Sequence, residues 1–399
     1  MKRHPNDLAI FGSPPAFSDK LFVGRPSLGD RARFLERLND ILDRRWLTND
    51  GIYVREFEKQ VAGIVGVRHC VAMCSGTTAL QIAIRALDLT GEVIIPSFTF
   101  VADAHVLEWQ RIRPVFCDID PTTCNLDPQK VEEAITERTN AILAVHLWGR
   151  PCDTERLAEI AERRGVHLLF DASHAFGCTH NGRAIGGFGE LEVFSFHATK
   201  MINTFEGGAV TTNDDDLAET MRSMRNFGFA GFDNVVRLGT NGKMNEVSAA
   251  MGITGLESLN HLVEHNRQND RCYRDGLQGI PGIEVVSRGS TGQSNCQYIV
   301  IRVDPENGLP RDRLVEILCA ENIIARRYFY PGCHRMEPYR TLYPEFEGKL
   351  PNSDWLAQRV VTLPTGEAVD SEQIKVISSV IRCAMTHGAE IEDQLSASS

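Results

Sequence analysis

The sequence has no apolar run long enough to cross a membrane and no clustered basic stretch. Its 399 residues are 42% hydrophobic and 24% charged, whereas a membrane-spanning helix needs about 20 consecutive apolar residues. The formal net charge of −11 argues against a nucleic-acid-binding surface. The N-terminal stretch lacks the apolar core and cleavage site of a secretory signal. We therefore expect a cytoplasmic protein that binds neither nucleic acid nor a membrane.

The sequence also lacks any paired CxxC spacing. Its eleven cysteines are scattered and odd in number, which fits reduced core thiols better than a disulfide framework or a zinc ribbon. One metal-type motif is present, because His261, Glu264 and His265 match the HxxEH pattern of some zinc peptidases. No third ligand is evident, so we treat a zinc peptidase as a remote alternative and expect no metal.

What the chain does have is a regular alternation of apolar strand-like runs and helical patterns over residues 70–212. Buried runs alternating with helices indicate a mostly parallel sheet covered on both faces, which is a doubly wound α/β domain. A single helical stretch is predicted from Asn245 towards Arg274, followed by shorter strands and helices. We expect a large domain over residues 1–262, a smaller α+β domain over 263–399, and a frayed tail after Glu392.

Lys200 is the first candidate functional residue. It lies between two predicted strands, Val193 to Phe196 and Val210 to Thr212, and α/β folds bind ligands at the ends of their strands. Most lysines are solvated surface residues, so the argument depends on the residues that accompany Lys200. A lysine amine so placed is a candidate nucleophile.

Three further features follow predicted strands. The small residues Ser75, Gly76 and Thr77 at a helix start can seat a phosphate, although helix capping uses the same residues. Asp171, with His174 close behind, follows a buried strand and needs a cationic partner unless it only forms a turn. Phe100 offers an aromatic plate or a core side chain, and Ser195 could supplement the phosphate seat. An amine, a carboxylate, a plate and an anion seat together are what pyridoxal 5′-phosphate requires from a protein.

At this point the order of motifs SGTTAL, PSFTFVA, FDASHAFG, SFHATK, EGGAVTTND and GTNGKMNEVSAAMG resembles the DegT/DnrJ/EryC1/StrS family of sugar aminotransferases, which have the aspartate-aminotransferase type I fold. The resemblance extends from Leu47 to about Leu363. It implies a large α/β domain with a mostly parallel sheet and a smaller α+β C-terminal domain. It also implies that Lys200 binds the cofactor covalently, that Asp171 pairs with the pyridine nitrogen, and that Phe100 and His174 lie at the ring. The phosphate contacts would come from Ser75, Gly76, Thr77, Ser195 and, across a subunit interface, Asn241.

The segment from Arg326 to Arg340 is dense in arginines and aromatic residues. Such a mixture can pair with a diphosphate and stack on a flat ring, and it is equally typical of a lid or an interface. In the resembling family this region lies near the nucleotide-sugar site, which makes Arg326, Tyr330 and His334 the expected substrate-binding residues. The form of the segment departs from the shorter PLH version of many relatives.

On this resemblance we expect amination at C4 of dTDP-4-keto-6-deoxy-D-glucose, with L-glutamate as amino donor, in deoxyaminosugar and antibiotic biosynthesis. Amination at C3 of a dTDP-3-keto-6-deoxyhexose is the alternative, and a non-catalytic regulator with the same fold is another. A homodimer with shared active sites is expected from Asn241 and from the apolar helix residues Val247, Met251 and Ile253. Such an obligate interface would bury more than about 2,000 Å² in total.

Overall fold

The chain folds around a seven-stranded sheet. The computed structural model describes residues 1–287, 289 and 292–398. In spatial order the strands are His69–Met73, Gly208–Thr212, Leu191–Ser195, His167–Asp171, Thr139–Val145, Glu92–Pro96 and Arg113–Cys117. Gly208–Thr212 runs antiparallel to both of its neighbours, and the other pairings are parallel. The predicted mostly parallel sheet is therefore confirmed.

The central strand Thr139–Val145 shows why such runs are apolar along their whole length. Ala141 and Leu143 belong to the core on one face of the sheet, and Ile142 and Ala144 belong to the core on the other face. Successive side chains of a strand point to opposite faces, so a sheet covered by helices on both sides buries every one of them.

Helices cover both faces of this sheet and continue into the C-terminal region. Their bounds are Arg31–Arg44, Ile52–Val65, Gly76–Ala86, Ala102–Glu108, Pro128–Ala134, Thr154–Arg164, Asp215–Met224, Glu246–Glu257, Leu259–Leu277, Arg311–Ala320, Tyr339–Leu342, Pro351–Ala357, Ser371–Thr386 and Gly388–Ser398. None of the helices within the described residues is long and apolar enough to cross a membrane. All eleven cysteines are free, and eight of them are buried.

The C-terminal region contains a three-stranded antiparallel sheet, Ile283–Val285, Ile299–Val303 and Val360–Leu363. The N-terminal residues Leu8 and Leu21 are buried in the same core cluster as this sheet. A short strand at Leu21–Phe22 also pairs in parallel with Ile323–Ile324. The N-terminal segment thus packs on the C-terminal sheet, and the domain division at residues 262 and 263 stays a prediction.

Two expectations about the C-terminal half were wrong. The single helix expected from Asn245 is two helices, Glu246–Glu257 and Leu259–Leu277, which meet at Ser258. Ser258 keeps helical backbone angles, so the apolar pattern continues across the junction. The tail after Glu392 is helical to Ser398, because Ile391 and Leu395 pack on the C-terminal core one helical turn apart.

Candidate functional site

The candidate site lies where the parallel strands end, and its first part is set by the register of one antiparallel strand. Gly208 pairs with Met73 on one side and with Ser195 on the other. A Cβ at Gly208 would lie 2.6 Å from the backbone nitrogen of Gly76. Gly208 therefore allows the start of the helix Gly76–Ala86 to approach the sheet closely.

The helix start that the sequence predicts as a phosphate seat faces a hydroxyl. The Ser75 side chain caps the helix Gly76–Ala86, and its Oγ accepts the backbone N–H of Thr78 at 3.0 Å. A Cβ at Gly76 would lie 2.9 Å from the Cβ of Ser195, so Ser195 contacts the first turn directly. The first N–H groups of a helix have no partner within the helix and attract anions. Capping by Ser75 is thus compatible with an anion seat at this helix start.

Lys200 follows the strand Leu191–Ser195, and its backbone N–H bonds to the carbonyl of His197 at 2.9 Å. Gln297 supports this loop from the C-terminal region by donating its Nε2–H to the carbonyl of Thr199 at 2.9 Å. Burial lowers the pKa of Lys200 to about 8, although the neighbouring carboxyl groups of Asp171 and Asp103 act in the opposite direction. A substantial fraction of the amine is therefore neutral near pH 8 and can act as a nucleophile or base.

Asp171 ends the strand His167–Asp171 and is only 7% exposed. Its Oδ1 accepts the backbone N–H of Ser173 at 2.8 Å, and its charge acts on the amine of Lys200. Asp118, directly after the strand Arg113–Cys117, is another carboxylate at a strand end. Its carboxylate instead accepts hydrogen bonds from the backbone N–H groups of Asn352 and Ser353 and from the Ser353 hydroxyl. Asp118 is thus occupied at the start of a helix, and Asp171 is the carboxylate that faces Lys200.

His174 is buried near Lys200 and is uncharged. Burial and the positive charge of Lys200 hold the pKa of His174 well below its usual range. Its Nδ1 accepts the backbone N–H of Trp148 at 3.2 Å, which places the ring proton on Nε2. Asn295 donates its side-chain N–H to the His174 carbonyl at 3.0 Å and so fixes the backbone there. A neutral His174 contributes a ring face and a hydrogen-bond donor to this site.

Phe100 and Phe329 form the aromatic part of the site. The Phe100 ring is 55% exposed, and its centroid lies 6.0 Å from that of Phe329. Phe329 is also stacked parallel to His174 at 5.9 Å. Phe100 and His174 were expected from the sequence, whereas Phe329 was not, although it belongs to the aromatic Arg326–Arg340 segment.

Within that segment the three predicted substrate residues have different surroundings. Arg326 is exposed, with its guanidinium over the Tyr328 ring. Tyr330 is exposed between the guanidinium groups of Arg311 and Arg327, each 5.0 Å from the ring centroid. His334 is buried: its Nδ1 lies 2.6 Å from the Ser97 hydroxyl, and its Nε2 lies 3.2 Å from Asp354. Arg326 and Tyr330 offer surface to a ligand, whereas the ring of His334 is enclosed by protein.

Asn241 lies on an exposed segment, in an antiparallel bridge with Asn226. The helix that follows does not present the expected apolar interface. Met251 and Ile253 are 2% and 3% exposed, because the helix Glu246–Glu257 is buried among elements of its own chain. The expectation that Met251 and Ile253 form an apolar interface was therefore wrong, whereas Val247 is half-buried.

The HxxEH residues do not converge on a common point. His261 is exposed, Glu264 pairs with Arg271, and the Nε2 of His265 lies 3.1 Å from the carbonyl of Gly366. Within the described residues, no group of three or more His, Cys, Asp and Glu side chains could hold a metal ion. The helix carries these residues as ordinary surface contacts.

The arrangement fits pyridoxal 5′-phosphate. The residues supply an amine with a pKa of about 8 at Lys200 and a buried carboxylate at Asp171 that is held by a backbone N–H. They also supply a capped helix N-terminus facing Ser195. These groups match the aldehyde, the pyridine nitrogen and the phosphate of the cofactor.

Comparison with known proteins agrees with this geometry. The DegT/DnrJ/EryC1/StrS aminotransferase family model matches residues 29–382. The dTDP-4-amino-4,6-dideoxy-D-glucose transaminase of Shigella dysenteriae is 38% identical over 362 residues, covering 91% of this chain and 98% of that protein. The GDP-perosamine synthase of Vibrio cholerae is 31% identical over 365 residues, covering 90% and 98%.

Among solved structures, the crystal structure of DesI in the presence of its TDP-sugar product matches with a TM-score of 0.93. That protein is 47% identical, and the match covers 98% of this chain and 99% of DesI. The chain belongs to the DegT/DnrJ/EryC1/StrS aminotransferase family. It is a sugar aminotransferase, and its cofactor is pyridoxal 5′-phosphate.

Proposed function

We propose that this aminotransferase moves an amino group from L-glutamate to C4 of dTDP-4-keto-6-deoxy-D-glucose. The observation that carries the chemistry is the buried amine of Lys200, with a pKa of about 8, beside the carboxylate of Asp171. The choice of C4 rests on similarity to a transaminase named for dTDP-4-amino-4,6-dideoxy-D-glucose. DesI, which was crystallised with a TDP-sugar product, supports a thymidine nucleotide.

In this proposal Lys200 and Asp171 divide the work. When bound, the cofactor supplies an electron sink for the carbon that exchanges the amino group. The Nζ of Lys200 holds the cofactor at rest and, once released as a neutral amine, moves the proton between substrate atoms. Asp171 keeps a negative charge against the ring nitrogen, which stabilises the protonated ring.

The remaining cofactor contacts orient it. Ser75, Gly76, Thr77 and Ser195 would bind the phosphate, and Phe100 would lie against one ring face with His174 close by. Because His174 is neutral, it would not compete with the ring nitrogen for the charge of Asp171. The exposed Arg326 and Tyr330 would meet the nucleotide sugar. His334 would act on the substrate indirectly, through its hydrogen bond with the Ser97 hydroxyl.

A substrate panel tests the choice of sugar. The enzyme, loaded with pyridoxamine 5′-phosphate, is mixed with TDP-, UDP- and GDP-linked 4-keto and 3-keto sugars, and the products are identified by NMR. We expect turnover with the TDP-linked 4-keto-6-deoxyglucose. Turnover only with a 3-keto sugar would establish the C3 alternative, and turnover only with a UDP or GDP sugar would overturn the nucleotide. A regulator without catalysis would bind the cofactor but leave its absorption spectrum unchanged when glutamate is added.

A homodimer with shared sites is the second part of the proposal. Asn241 is exposed, and the preceding segment carries the apolar side chains Phe232, 99% exposed, and Leu238, 78% exposed. Exposed apolar side chains beside a binding residue favour an interface, here one that places Asn241 at the phosphate of a second subunit.

The free, mostly buried cysteines favour a reducing cytoplasmic location.

Subunit mixing tests the shared site. Lys200→Ala and Asn241→Ala chains are each expected to be inactive or weak, but a mixed dimer would contain one site with both native residues. Activity that appears after the two variants are unfolded and refolded together supports the shared site. Sedimentation showing an active monomer, or no recovery in mixed dimers that do form, would contradict it.

A further inference from the structure

A second buried carboxyl group, Asp103, lies against Asp171. Asp103 is in the first turn of the helix Ala102–Glu108 and has no exposed surface. Its Oδ2 accepts the hydroxyl of Thr99 at 2.6 Å. Within the described residues, its Oδ1 is a buried atom without a donor, and the side chain lies within hydrogen-bonding reach of the Asp171 carboxyl group.

Two ionised carboxylates in contact inside a protein repel each other strongly, so such a pair holds one proton between them. The surroundings decide which group carries it. Asp171 is the less buried of the two and accepts a backbone N–H from Ser173, which stabilises its charged form. Asp103 is fully buried, and its Oδ2 accepts a hydrogen bond from the neutral hydroxyl of Thr99. The proton therefore belongs on Asp103.

We propose that Asp103 is a positioning residue that carries a proton and donates it in a hydrogen bond to the carboxylate of Asp171. This rests on the proposed role of Asp171 at the cofactor nitrogen. One Asp171 oxygen is held by the Ser173 N–H, and the Asp103 hydroxyl is a second donor to the carboxylate. The carboxylate is thus oriented before the cofactor arrives and loses little freedom on binding it.

The other groups that face Asp103 are consistent with this assignment. Burial and the charge of Asp171 hold the pKa of Asp103 well above its usual range, while the Thr99 hydrogen bond and the charge of Lys200 act in the opposite direction. Asp103 also acts electrostatically on the thiol of Cys333. Burial raises the pKa of that thiol, which keeps it uncharged at neutral pH. Among these neighbours, Lys200 is the cation that acts on Asp103.

If Asp103 is protonated, two substitutions of it should have different effects on cofactor binding. In Asp103→Asn the amide oxygen can accept the Thr99 hydroxyl while the amide N–H donates to Asp171, so the hydrogen bonds of a protonated Asp103 are kept. Asp103→Leu has similar volume but no donor. We expect Asp103→Asn to bind pyridoxal 5′-phosphate within about threefold of the wild type, and Asp103→Leu to bind it about 10- to 100-fold more weakly. The readout is a titration of apoenzyme with the cofactor.

Infrared spectroscopy of the apoenzyme locates the proton without any catalysis. We expect a protonated-carboxyl C=O band at neutral pH that disappears in Asp103→Asn. Asp118→Asn is the matched control, since Asp118 is also buried but accepts two backbone N–H groups, and it should leave the band unchanged. This measurement remains decisive if Asp103→Leu does not fold.

The proposal is overturned if the band is missing, if it persists in Asp103→Asn, or if Asp103→Asn binds the cofactor as weakly as Asp103→Leu. It is also overturned if Asp103→Leu binds like the wild type. A failure of the proposed function would look different. Full activity in Asp171→Asn would remove the role of Asp171 and leave the infrared result in place.

Discussion

The sheet edge around Lys200 and the Arg326–Arg340 segment differ in how their functional groups are held. At the edge, Asp171 and Asp103 are buried, and their positions are set by strand ends and short hydrogen bonds. In the segment, the arginines sit at the surface, and three of the four are paired with carboxylates: Arg327 with Asp312, Arg335 with Asp354 and Arg340 with Glu337. Buried groups can shift the pKa values of their neighbours, whereas the charges of surface groups are screened by water.

This difference teaches where chemistry and specificity reside. Amino transfer needs a neutral amine and a fixed carboxylate, which burial provides. Recognition of a nucleotide sugar needs accessible cations and rings, which can change between relatives without disturbing the sheet edge. Substitutions in the two regions should therefore affect different kinetic steps.

The largest effect is expected at Lys200. Lys200→Ala should reduce amino transfer to background, because in the proposed function the amine both holds the cofactor and moves the proton. The measurement is turnover together with the visible absorption of the bound cofactor and its trapping by borohydride. Lys130→Ala, which removes an exposed lysine paired with Glu133, is the control and should behave like the wild type. Covalent trapping at another lysine would refute the assignment.

Asp171→Asn should come next. Loss of one partner of a buried charged hydrogen bond costs about 2–5 kcal/mol, so kcat should fall by about 30-fold to several thousand-fold. Glutamate half-reactions followed by absorption measure this directly. Asp118→Asn is again the matched control, because Asp118 caps a helix and should affect stability rather than rate. Wild-type turnover in Asp171→Asn would show that another carboxylate pairs with the ring nitrogen of the cofactor.

The pKa of Lys200 predicts an intermediate effect on cofactor loading. Its amine is protonated below pH 8 and neutral above, and only the neutral form reacts with the aldehyde. The rate at which apoenzyme takes up pyridoxal 5′-phosphate should therefore rise about tenfold from pH 7 to pH 9. Stopped-flow absorption gives the profile. Asp171 raises the pKa of Lys200, so Asp171→Asn should move the midpoint to lower pH. A midpoint near 10.5 in the wild type would contradict the burial argument.

The smallest effect is expected in the exposed segment. Arg326→Ala should raise the KM for the TDP-sugar by about fivefold, which is typical of losing one exposed charged contact. The glutamate half-reaction should not change, since Arg326 is outside the sheet-edge site. Arg340→Ala, which removes an arginine already paired with Glu337, should alter neither quantity. An equal loss in both half-reactions of Arg326→Ala would break the division between the two regions.

Much of the site was readable from local sequence. Asp171 ends an apolar strand, and Lys200 and Ser75 each follow one within a few residues. Parallel strands end at one edge of a sheet, so local order along the chain was enough to bring them together. The helix caps are equally local, as the Asp153 side chain accepting the Arg156 N–H shows.

Other features depended on contacts between distant parts of the chain. Phe329 reaches Phe100 and His174 from the C-terminal region, and Gln297 supports the Lys200 loop in the same way. The break at Ser258 could not be predicted, because the apolar period continues across it. The terminal helix could not be predicted either, because it depends on Ile391 packing against the C-terminal core.

The sequence by itself determined the element order, the mostly parallel sheet and the residues at its strand ends, because hydrophobic period and turn chemistry act over a few residues. Only the tertiary structure decided that Gly208–Thr212 runs antiparallel, that Met251 and Ile253 are buried within the chain, and that Asp103 meets Asp171. From the sequence alone, a charged residue within an apolar helix, such as Asp103, does not show which side chain it will contact. Burial, repulsion and the shared proton arise only when the helix Ala102–Glu108 and the strand His167–Asp171, which are distant in sequence, bring the two carboxyl groups into contact.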